Sequence, residues 1–88
     1  MTVKTEHGDF ECRELTFKER RSLHRLEINI LHKDGSVNLD KYYDVMEWIM
    51  RFAFEDAEKA LGHLDDNQID TVLSEIYSRY KNPSKKKN

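Results

Sequence analysis

The sequence predicts an all-α fold, a small bundle of three to four helices behind a short extended or hairpin N-terminal arm. Three observations carry it. Helix-start signals recur at Thr16, Asn38 and Asp65; the apolar residues that follow each one repeat at three- and four-residue spacing; and Asp34-Gly35, Gly62 and Pro83 punctuate the periodic runs. Eighty-eight residues allow one domain. Residues 1–82 are expected to form it, with 83–88 as a disordered basic tail. A chain this short buries only about 60–65% of its unfolded surface, so its core must be compact or completed by a partner.

In chain order, Val3, Thr5, Phe10 and Cys12 lie in two short segments around His7-Gly8-Asp9, which read as a hairpin or an extended arm. Thr16 with Glu19 three residues later forms a capping box, in which the threonine oxygen takes the third helical amide and the glutamate reaches back to the cap. A helix over 17–33 follows, with Leu23, Leu26, Ile30 and Leu31 on its buried face. It stops at Asp34-Gly35, where glycine can turn left-handed.

Asn38 caps the second helix, and Val37 before it is placed to pack on Tyr42. On a wheel of about 100° per residue, Tyr42, Val45, Met46, Ile49, Phe52 and Ala53 form one apolar stripe. Tyr43, Met50 and Phe54 continue it, and Trp48 lies beyond its other edge. An arc this wide belongs either to the buried centre of the domain or to a helix that offers part of its surface to another protein. Whether the helix runs unbroken to Gly62, over 39–62, or restarts with Asp56 near a cap stays open. The last helix, 66–81, has the cleanest pattern: Asp65 and Gln68 make a capping box, Leu64 is placed to staple Ile69, and Ile69, Val72, Leu73, Ile76, Tyr77 and Tyr80 form one stripe.

Composition removes several functions. Hydrophobic residues are 38% of the chain and aromatics 10%, which supplies enough anchors to fold. Seventeen acids against fifteen bases leave a net charge of -2, so no specific nucleic-acid partner and no anionic membrane is expected. One cysteine, Cys12, excludes an intrachain disulfide and a thiolate metal cage and fits a reducing compartment. The polar first residues and the lack of a roughly 20-residue apolar span predict a soluble cytoplasmic protein.

No acid-base or nucleophile set is present, so no enzyme and no cofactor is expected. His7, His24, His32 and His63 have no metal-ligand spacing on a shared face. The stretch from Asp34 to Asp40 resembles the second half of an EF-hand loop, but with Gly35 at the sixth loop position Ile30 and His32 stand at two ligand positions and Lys41 replaces the bidentate glutamate. Two alternatives to a protein-binding role are a helix-turn-helix DNA-binding regulator and a degenerate EF-hand-like interaction module. Asp40, Asp44 and Glu47 would repel phosphate from the second helix of the former.

The order "RELTFKERRSL", "YYDVMEWIM" and "LGHLDDNQIDTVLSEIY" resembles the tail assembly chaperones of long-tailed bacteriophages, across about residues 13 to 80. The resemblance implies a non-enzymatic helical protein of the host cell cytoplasm that coats the helical tape measure protein before tail polymerisation and helps recruit the tail-tube protein. As contact residues it points to Tyr43, Met50 and Phe54, with Val45, Ile49, Phe52, Leu73 and Ile76 as core. The alternative, that all eight are core, stays open. The chain alone is then expected to be a monomer or to self-associate weakly. In that family a longer product often arises by a −1 ribosomal slip, and Lys85-Lys86-Lys87 can be encoded by an uninterrupted adenine run, which would make this chain the short form.

Overall fold

Near its start the chain folds back on itself at Glu6-His7-Gly8. Gly8 takes a φ of 124°, a region that side-chain-bearing residues rarely enter. Thr5 Oγ1 accepts from the His7 amide at 3.0 Å and donates to the Gly8 carbonyl at 2.9 Å. The computed structural model, which describes residues 1–82, therefore opens with an antiparallel hairpin of β1 (Thr2–Thr5) and β2 (Gly8–Glu11), with Val3 opposite Phe10. Side-chain alternation turns Val3 and Phe10 inward, and both are buried along with Cys12.

The hairpin corrects the all-α expectation: the fold is mostly helical, but the strands are a layer of its core rather than an arm beside it. Phe10 packs edge-on against Phe54, with ring centroids 6.2 Å apart. Arg79 Nη1 donates to the Thr2 carbonyl at 3.2 Å and the Tyr80 hydroxyl donates to the Arg13 carbonyl at 2.6 Å, so the last helix is tied to the hairpin and to the segment that leaves it.

Helix α1 (Phe17–Glu27) starts where its cap predicts, with Thr16 Oγ1 accepting from the Glu19 amide. The Glu19 carboxylate accepts from the Thr16 hydroxyl. The helix ends six residues sooner than expected. Beyond it the amides of Asn29 and Ile30 bond back three residues, tightening the chain. Leu31 and Val37 then form an antiparallel bridge, and the His32 amide donates to the Ser36 carbonyl at 2.8 Å. The polar turn between them uses Gly35 at φ 90° and Asp34 Oδ1, which accepts from the Ser36 amide and hydroxyl. Glycine is left-handed as expected, but it turns this small loop instead of ending the helix. Leu31, placed on the buried face by extrapolating the helix, is exposed.

Helix α2 (Leu39–Ala53) is capped by Asn38, whose side chain accepts from the Lys41 amide. It stops at Ala53, which settles the open question in favour of a break. Phe54 is extended, and the Ala53 carbonyl accepts from the Arg13 amide at 3.1 Å, a partner forty residues away in sequence. Asp56 caps the short α3 (Ala57–Leu61) through the Lys59 amide, and α3 ends at Gly62. Helix α4 (Asp66–Lys81) carries the full Asp65–Gln68 capping box. Val45, Met46, Ile49 and Ala53 of α2 meet Val72, Leu73, Ile76 and Tyr80 of α4 in one cluster that also takes Leu23, Leu61 and the hairpin residues. Of the expected core residues, Val45, Ile49, Leu73 and Ile76 are buried. Phe52 is partly buried, stacked on Trp48 and edge-on to Tyr80.

Candidate interaction groove between α2 and α4

Two helices packed side by side leave a furrow wherever their facing side chains stop short of surface level. Along the first two turns of α4 and the middle of α2 that furrow is a groove of about 490 Å³. Met46, Met50, Ile69 and Leu73 form its apolar floor, and Tyr43, Glu47, Asp66 and Asp70 its rim. Met46 and Leu73 are buried, Met50 and Ile69 partly so, and Tyr43 is 48% exposed. The Tyr43 hydroxyl donates to Asp70 Oδ2 at 3.4 Å, which steers the ring along the rim.

The structure thus brings together two of the three residues that the sequence singled out. Tyr43 and Met50 share the groove, whereas Phe54 does not and is corrected to a core residue, 7% exposed. The wheel places Phe54 beside Met50 only if the helix continues; with φ -120° and ψ 137° its side chain leaves the helical direction and meets Phe10. Ile69 and Leu73 were expected in the apolar stripe of the last helix, Leu73 as core, but neither they nor the three rim acids were expected as contact residues. Ile69 at the edge of the last stripe is the signal that could have found them, since an apolar residue one turn into a capped helix faces whatever lies alongside.

A second polar cluster joins α1 to α4. Glu27, largely buried, accepts from the Tyr77 hydroxyl and pairs with Lys81 Nζ at 2.9 Å and His24 Nδ1 at 3.7 Å. Burial by itself would raise its carboxyl pKa, but the hydroxyl and the ammonium outweigh that and hold it below the usual carboxylate range. Burial pushes the Cys12 thiol up to about 11, so it is protonated at neutral pH and a poor nucleophile. Among the described residues no group of three or more His, Cys, Asp or Glu side chains is placed to hold a metal ion, and no helix is long and apolar enough to cross a membrane. The Asp34 carboxylate, in the stretch resembling an EF-hand, is engaged by Ser36. The α2 acids Asp40, Asp44 and Glu47 are exposed.

Comparisons with protein-family models, curated proteins and solved structures find no match to this chain.

Proposed function

We propose that the protein is a non-enzymatic tail assembly chaperone of a long-tailed bacteriophage, which works in the host cell cytoplasm and binds the helical tape measure protein before the tail polymerises. The observation that carries this reading is the groove: an apolar floor of two methionines, an isoleucine and a leucine under a rim of one tyrosine and three acids. Such a furrow suits an amphipathic helix laid in by its apolar residues at i, i+3, i+4 and i+7, and methionine adapts to varied side chains because it is unbranched and polarizable. The acidic rim favours a helix whose apolar stripe is flanked by lysine or arginine. Recruitment of the tail-tube protein and a longer frameshifted product belong to the same proposal; Lys85-Lys86-Lys87, on which the latter rests, lies outside the described residues.

Titration calorimetry with helical fragments of the tape measure protein tests the groove. Met50→Asp is expected to weaken binding by about tenfold or more, equivalent to about 1.4 kcal/mol, while circular dichroism stays that of the parent. Tyr43→Ala should weaken it in the same direction. Equal affinity in folded variants of both would place the helix site elsewhere.

A further inference from the structure

Helix α1 turns an unusual face outward. Phe17 is 80% exposed and Ile28, which caps the helix, is 64% exposed, and the two stand about 16 Å apart along the axis. At about 100° per residue they fall within about 20° of each other, with Arg21 beside them and Lys18 and Arg25 on one flank. The two acids of the helix, Glu19 and Glu27, lie about 80° or more from that line, and the Glu27 carboxylate is engaged by Tyr77 and Lys81 of α4. Among the described residues, Lys18, Arg21 and Arg25 are in no ion pair. The whole-chain charge of -2, on which the expectation of no anionic membrane rested, therefore averages over a face that holds cations and no acid.

Between the two apolar side chains runs a furrow of about 470 Å³, lined by Lys18, Arg21, Ser22, His24 and Arg25. We propose that this face binds an anionic lipid surface, with α1 lying in the plane of the headgroups, Phe17 and Ile28 entering the acyl boundary and a lipid phosphate held in the furrow. The occupant is a bilayer because of where the charge sits. Protein partners are met by an apolar core with charge at the rim, whereas here cations hold the centre of the face and apolar side chains its ends. A bilayer takes such separated apolar side chains without matching their shape. A nucleic-acid backbone would satisfy the cations but leave Phe17 and Ile28 in water.

Helices that lie in a membrane interface combine these same parts, a cationic polar side and a few aromatic or aliphatic residues that reach the acyl chains. Lysine and arginine suit the border because their stems rest on apolar surface while the charge stays with phosphate and water. Two apolar side chains and three cations give a reversible attachment rather than an anchor. The attraction between the cations and the anionic headgroups is screened by salt, hence binding weakens as ionic strength rises. The face shares no residue with the α2/α4 groove, so the inference stands apart from the chaperone reading.

Co-sedimentation with vesicles of mixed phosphatidylglycerol and phosphatidylcholine, over a lipid series at low and high salt, tests this with three variants. The parent is expected to pellet with the mixed vesicles, less so at high salt, and not with phosphatidylcholine alone. Arg21→Gln combined with Arg25→Gln should weaken binding about twenty-five-fold, about fivefold for each cation, and Phe17→Ser about tenfold. Both should keep the parent's circular dichroism, since the replaced side chains are exposed. Met50→Asp, in the groove, should pellet as the parent does. A parent that stays in the supernatant, that pellets equally with phosphatidylcholine alone, or that pellets equally after either change to α1 overturns the inference. So does a parent that ignores the vesicles and instead retards an oligonucleotide in a gel, which would assign the face to a phosphate backbone. Vesicle binding lost with Met50→Asp in a folded variant also overturns it, by placing the lipid at the groove. Vesicle binding without capture of tape measure fragments would remove the chaperone reading alone, and the reverse would remove this one alone.

Discussion

Glu27 gathers a hydroxyl, an ammonium and an imidazole at one end of α1, although nothing near it in sequence identifies two of them. Because its pKa is lower in the folded chain than in the unfolded one, the ionised carboxylate contributes stability above the unfolded value of about 4.3, and this contribution is lost as pH falls through the folded value. Glu27→Gln is accordingly expected to melt below the parent at pH 7, with the gap closing below about pH 4 as the parent's own carboxylate is protonated. Thermal melts at pH 7 and pH 3 check it; a gap that does not change with pH would show that the charge contributes nothing. Residue chemistry of this kind is poorly legible from sequence. Tyr77 lies fifty positions from Glu27, and only the packing of α4 on α1 brings the pair together.

Among the elements, the short α3 has the most exacting end. The amide of Gly62, which caps its C-terminus, donates to the Glu58 carbonyl at 2.7 Å, and a Cβ added at Gly62 would stand 2.4 Å from that oxygen. Replacing glycine by alanine in a helical conformation ordinarily stabilises by about 0.4–1 kcal/mol through the unfolded chain. Here the clash is with backbone, and relieving such overlaps costs about 1–3 kcal/mol, so the clash dominates. Gly62→Ala should therefore lower the denaturation midpoint, and a raised one would mean that α3 shifts freely. The starts of α1, α2 and α4 were legible because each depends on residues three positions apart: Thr16, Asn38 and Asp65 all accept from the amide three residues on, as does Asp56, whose role as a cap the sequence left open. The element ends were less so. Helix α1 stops at Glu27 because the chain beyond it pairs Leu31 with Val37, and α2 stops at Ala53 where the Arg13 amide takes its carbonyl.

For the whole molecule, one cluster holds α1, α2, α4 and the hairpin, and Ile76 sits within it with no exposed surface. Ile76→Asp places a carboxylate without a designed partner there, at a cost of several kcal/mol against a total of about 5–15 for a domain. The variant should be unfolded at 25 °C by circular dichroism; one that melts like the parent would contradict the packing of α4 against α2.

By itself the sequence determined where α1, α2 and α4 begin, which faces of α2 and α4 are apolar, and that Tyr43 and Met50 lie on one side of α2, since caps and helical periodicity are local relations among a few neighbouring residues. The tertiary structure alone decided that the N-terminal strands belong to the core, that Phe54 turns inward to Phe10, and that Tyr43 and Met50 line a groove whose other wall is α4. These outcomes rest on contacts between residues far apart in the chain. Such contacts override the helical wheel wherever a distant backbone group satisfies a helix end better than another turn of helix would.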